Sequence, residues 1–202
     1  MRRRALLEPA AVVATGAVHF LFENFFDAKA AFIAAAAPLW IAYVAYRLKT
    51  VPGQGRAWGF RLDTLRPAGL ACAAASVAAA AAMVAYGSAQ GRLPPPRTFW
   101  LILALYPLWG LVQQFLLGAL LARNLREFLP PAAVVPAAAL LFGLAHAPDW
   151  TLSALAFAAA LVWIPIYLWR PNLWVLGISH GMLGALAYYA VLGRDAWAMP
   201  AG

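Results

Sequence analysis

The feature that most constrains this chain is a succession of apolar runs, each about as long as a bilayer is thick, joined by short polar connectors. A transmembrane helix needs ~20 apolar residues. Seven segments approach or reach that length, near residues 9–26, 30–46, 68–87, 98–122, 132–149, 152–168 and 172–193. In hydrocarbon every backbone amide must be bonded within its own segment, so runs of this kind form helices. Hydrophobic residues make up 65% of the 202 residues and charged residues only 11%, too little charge to cover a water-soluble domain of this size. The expected fold is therefore all-α, a single polytopic transmembrane bundle over residues 1–202. The opening Met-Arg-Arg-Arg followed by an apolar run imitates a signal peptide. The chain passes straight into further spans, so residues 1–26 are expected to stay in the mature bundle.

The net charge of +8 invites a nucleic-acid reading that its distribution rejects. With a cytoplasmic N-terminus, the inner loops carry Arg2, Arg3, Arg4, Arg47, Lys49, Arg56, Arg61, Arg66, Arg123, Arg126 and Arg170, whereas the outer loops carry Lys29, Arg92, Arg97 and Arg194. That bias is the positive-inside pattern and predicts seven spans, with N inside and C outside. Basicity here sets orientation and draws loops to anionic lipid headgroups, and no nucleic-acid partner is expected. The expected location is the inner (plasma) membrane of a bacterium.

Two connectors stand out. Residues 47–67 alternate Arg with Trp58, Phe60 and Leu62, as a stretch lying in the cytoplasmic interface would. Residues 88–97 are stiffened by Pro94, Pro95 and Pro96. The single cysteine, Cys72, has no partner for an intrachain disulfide and reads as a small packing residue in an alanine-rich span.

Polar side chains within apolar spans are costly and mark a functional site or a paired structural group. All three histidines lie in such segments. His19 and Glu23 sit at i and i+4 on one helical face, and Glu23 is the only acidic residue well inside a predicted span. Imidazole and carboxylate are standard zinc ligands, so this pair reads either as a local ion pair or as part of a metal or proton-transfer site. Gln113 and Gln114 are adjacent carboxamides in mid-span, either interhelical glue or a site for a substrate carbonyl or water. Phe142 and His146 share a face, with Pro148 breaking the helix beyond them. His180 lies in a stripe with Gly177, Gly181 and Gly184, small residues that allow close helix approach. At 1.5 Å per residue these groups fall at overlapping depths of roughly 10–22 Å from the cytoplasmic ends of their spans, so one intramembrane centre is geometrically open to them.

In order along the chain, the strings around Gln113-Gln114, Phe142-x-x-x-His146 and His180-x-x-x-Gly184 resemble the motif set of the CPBP intramembrane proteases, the CAAX-processing and bacteriocin-processing (Abi) family. The resemblance covers about residues 98–193. Its pattern is Glu-Glu-x-x-x-Arg, then Phe-x-x-x-His, then His-x-x-x-Asn/Asp. Here the second motif is intact. The first has Gln113 and Gln114 for the glutamates and Gly118 for the arginine, and the third has Gly184 for Asn/Asp. The resemblance implies that His146 and His180 hold a metal, Zn²⁺, or a water, with Gln113 or Gln114 where the base belongs.

A neutral amide cannot take a proton as a carboxylate does, so Glu23, oriented by His19, is the candidate replacement base. The leading expectation is a CPBP-type intramembrane metallopeptidase-like hydrolase acting on a hydrophobic or prenylated peptide. The alternative is a non-catalytic relative that binds a hydrophobic peptide or lipid in immunity or regulation. A transporter is disfavoured, since no inverted repeat or pair of broken helices is visible.

Overall fold

The structure is a computed structural model that describes residues 2–195, with the side chains of residues 2–5 and of Lys29 outside the description. The basic side chains of Arg2, Arg3, Arg4 and Lys29, and the chain end at Gly202, thus bear on topology through sequence alone. All regular structure among the described residues is helical. The elements are α1 (Arg2–Asn24), α2 (Lys29–Thr50), the short α3 (Gln54–Trp58), α4 (Leu65–Ala89), α5 (Thr98–Gln114), α6 (Arg123–Leu125), α7 (Pro131–Leu144), α8 (Trp150–Trp169) and α9 (Leu173–Leu186). A π-helical stretch, Phe115–Ala122, fuses α5 to α6, and a second one, Ala187–Val191, extends α9. Leu39, Ile41, Leu70, Val77 and Leu108 all point outward. An exterior of that kind suits hydrocarbon and not water. The chain is an integral membrane protein, an all-α polytopic bundle.

Among the described residues six segments are long and apolar enough to cross a membrane: Leu6–Asn24, Ala30–Thr50, Leu65–Ala89, Thr98–Leu125, Trp150–Trp169 and Leu173–Val191. The expected span over 132–149 is shorter than its composition promised. α7 has 14 residues, a rise of about 21 Å against a hydrocarbon core of ~30 Å. Pro148 has no N–H to donate and disfavours helical backbone before it. The segment from Ala145 to Asp149 is therefore a turn, and Asp149 starts α8 by accepting from the Leu152 amide at 3.0 Å. Partial burial works against the Asp149 charge, but the Leu152 amide and Arg194 outweigh it and hold the carboxyl below its ordinary range.

Polar contacts sort the loops to two ends of the bundle. At one end Glu8 meets Arg47 at 2.6 Å and accepts from Asn124 at 2.7 Å, Arg123 donates to the Ala57 carbonyl at 2.6 Å, and Asn172 donates to the Arg61 carbonyl at 2.9 Å. At the other end Arg92 caps the carbonyl of Val191, Arg194 pairs with Asp149, and Thr98 donates to Asp195 at 2.8 Å. α7 and its flanking turns carry the chain from the first end to the second.

The 47–67 connector packs against the bundle and does not spread over the interface as expected. Trp58 is 1% exposed and packs edge-on against Phe115, with ring centroids 5.0 Å apart. Its carbonyl accepts from the Tyr167 hydroxyl at 2.9 Å. Gly53 and Gly59, both in the left-handed region (φ 73° and 103°), bracket α3. A Cβ at Gly59 would stand 3.3 Å from the Asn172 amide, so a glycine lets this plug seat on the Arg170-Pro171-Asn172 turn.

Candidate functional site

The site begins with the crossing of α5 and α9. A Cβ added at Gly177 would lie 2.8 Å from the Leu111 Cα, and one at Gly181 would meet the backbone of Tyr106 and Pro107. Only glycine permits backbones this close, and lipid-embedded helices gain van der Waals packing from such contacts. The approach sets Gln114, on the last turn of α5, against His180 of α9, with the amide Nε2 3.2 Å from the imidazole Nδ1. Gln114 is 1% exposed. The π-helical stretch starts at the next residue, and the Arg123 amide bonds back to the Gly118 carbonyl, an i→i+5 step. Insertions of this type recur at functional sites.

The plane of His180 is fixed by its neighbours. The Trp163 indole stacks on it, with centroids 4.6 Å apart and planes 17° from parallel. Trp163 in turn donates to Ser179 Oγ at 3.0 Å, and Ser179 Oγ lies 2.7 Å from Ser76 Oγ. Phe142 presents its ring edge-on to both remaining partners, His180 at 5.7 Å and His146 at 4.9 Å. His146 bonds through Nδ1 to the Phe142 carbonyl at 2.8 Å. Cys72 is buried, with its sulfur 4.0 Å from Ser76 Oγ, in the packing role expected of it.

The other expected residues fall around this core in different ways. Gln113 is partly exposed and points about 100° round the helix from Gln114. Glu23 lies in the last turn of α1 with its side chain 38% exposed, 3.5 Å from His19 Nδ1, and the His19 ring packs edge-on against Phe32 at 5.2 Å. The four residues offered as zinc ligands, His19, Glu23, His146 and His180, do not form one ligand set. Among the described residues no group of three or more His, Cys, Asp or Glu side chains is placed to hold a metal. Protein zinc sites take at least three such ligands, and the donor beside His180 is a carboxamide. The residues present do not fit that ion.

Two of the motif departures have structural counterparts. At Gly118 the ring of Tyr167 fills the space beside the backbone, 2.9 Å from where a Cβ would be. No arginine fits there while Tyr167 keeps its hydroxyl on the Trp58 carbonyl. Gly184 is roomier: a Cβ would meet Tyr106 at 3.5 Å and the His180 ring at 4.0 Å, ordinary contact. Sequence reading missed Trp163, Ser179, Tyr167, Tyr106 and Ser76. Of these only Ser76 had a local signal, as a hydroxyl interrupting a run of alanines.

The fold and site together define a helical membrane bundle with an internal polar centre, two imidazoles and a carboxamide gathered near one phenylalanine. Residues 95–186 match the family model described as type II CAAX prenyl endopeptidase Rce1-like, and over this segment the chain is similar to that family. No curated protein and no solved structure matches the chain.

Proposed function

We propose that this membrane protein binds a hydrophobic or prenylated peptide at the Gln114–His180–His146 centre and holds it without the carboxylate-driven hydrolysis of a peptidase, in a regulatory or immunity role at a bacterial plasma membrane. The observation that carries the reading is the Gln114 amide 3.2 Å from His180, where the family pattern has a glutamate. A carboxamide takes up no proton near neutral pH, and a general base contributes typically about 10²–10⁴-fold to rate. Tyr167 packed into the place of the missing arginine supports the same conclusion. The name of the matching family, a CAAX prenyl endopeptidase, suggests the ligand class, a C-terminal peptide carrying a prenyl chain.

His146 supports a second reading. A carbonyl only accepts, so the bond to Phe142 puts the proton of the neutral ring on Nδ1 and leaves a lone pair on Nε2. Such a nitrogen is competent to take a proton from water, which makes His146 the base of a slower hydrolase. One experiment separates the two. Purified protein in lipid nanodiscs is incubated with a farnesylated peptide bearing a photo-crosslinker. Binding predicts saturable labelling, weakened about tenfold or more by His180→Ala, and no cleavage product. A product that forms with the native chain and disappears with His146→Ala overturns the binding reading in favour of the hydrolase.

A further inference from the structure

We infer that Gln114 is a positioning residue that fixes which nitrogen of His180 carries the proton, making His180 Nε2 a hydrogen-bond donor to a carbonyl oxygen. The inference deepens the binding reading, on which it rests only for the identity of that carbonyl as a peptide's.

An amide nitrogen donates and does not accept, and it is the amide nitrogen of Gln114 that faces Nδ1. Nδ1 must therefore be the unprotonated nitrogen, and the single proton of the neutral ring sits on Nε2. Turning the ring over would replace Nδ1 with a carbon and forfeit the bond, while Trp163, stacked on the ring and tied through Ser179 to Ser76, holds its plane. A glutamate at 114 would do the opposite. Its carboxylate only accepts, so it would draw the proton to Nδ1 and leave a lone pair on Nε2, the form needed to ligate a metal. The glutamine therefore changes the character of the histidine as well as removing a base.

With His146, whose proton is held on Nδ1 by the Phe142 carbonyl, the centre contains one donor nitrogen and one acceptor nitrogen near a shared phenylalanine. An amide group carries the complementary pair, a C=O and an N–H. That complementarity points to the backbone of a bound peptide, at a residue where helical hydrogen bonds are open.

The test is nitrogen NMR of the full chain in nanodiscs, with ¹⁵N-histidine and with the His180 signals assigned by their loss in His180→Gln. The nitrogen bearing the proton shows the one-bond coupling. The expected result is coupling at Nε2 in the native chain, moving to Nδ1 in Gln114→Glu. In Gln114→Leu the preference for Nε2 should fall. A native spectrum with the proton on Nδ1 overturns the inference, and so does a Gln114→Leu spectrum identical to the native one in a folded protein. The native spectrum decides even if a variant fails to fold. Failure of peptide labelling, with the proton on Nε2, would sink the binding reading and leave the role of Gln114 standing.

Discussion

At Gln114 a carboxamide nitrogen faces the His180 imidazole at 3.2 Å where the family pattern has a carboxylate, and the other departures from that pattern differ in the room around them. Gly118 and Gly184 make this testable, because both stand where the family pattern has a polar side chain but only one has room for it. Gly118→Ala forces a methyl group against Tyr167, a ring 1% exposed and held by its hydroxyl, and overpacking of this kind costs about 1–3 kcal/mol. Gly184→Ala meets only ordinary contacts and gains the ~0.5–1 kcal/mol by which alanine favours a helix over glycine. Thermal unfolding in detergent should show the first midpoint lowered and the second equal or raised. Equal midpoints for both would mean that Tyr167 yields and the arginine site is not closed. The motif residues themselves were legible in the sequence, because i to i+4 spacing places Phe142 by His146 without knowledge of the rest of the fold. The partners Trp163, Tyr167 and Tyr106 were not, since no spacing within one helix records which side chain arrives from another.

Among the elements, α3 is where the sequence pattern misled. Arginines alternating with Trp58, Phe60 and Leu62 read equally well as a stretch lying on headgroups or as a plug, since both need one apolar and one charged side. The structure divides these residues: Trp58 is buried in the core, Phe60 packs on Trp174 at 5.4 Å, and Leu62 is 74% exposed. Trp58→Ala should therefore destabilise the protein by about 3–5 kcal/mol, as for a core aromatic, whereas Leu62→Ala should stay within about 0.5 kcal/mol. Guanidinium or thermal unfolding of the two variants side by side checks this. A Trp58→Ala variant as stable as Leu62→Ala would return the connector to the membrane surface. The long helices were legible because hydropathy over ~20 residues is a strong signal. At α7 the break at Pro148 was legible but its reach was not, because Ala145 and Ala147 continue the apolar composition past Leu144, where the helix ends.

For the whole molecule the open quantity is the number of crossings, and α7 decides it. By length α7 falls short of the bilayer, which taken alone leaves six spans and both chain ends on one side. The polar contacts argue otherwise. Asn124, just before α7, is tied to Glu8 and through it to Arg47, while Asp149, just after α7, is tied to Arg194. Those two ends are the ones that the charge bias assigns to the inner and outer faces, with Arg47 and Arg123 on one and Arg92 and Arg194 on the other. A short helix can pass between them where the bilayer thins locally or flanking polar side chains reach the interface, the usual accommodations of a span shorter than the hydrocarbon. The prediction is seven crossings. A reporter active only in the cytoplasm should be active when inserted at Gly53 and silent when fused after Gly202. A single cysteine replacing Trp150, in a Cys72→Ala background, should label from the outer face with a membrane-impermeant maleimide. Labelling of that cysteine only after the membrane is opened, together with an active fusion at Gly202, would put 145–149 on the cytoplasmic side. α7 would then be a re-entrant helix, and His146, at its end, would approach the centre from the same face as Trp58.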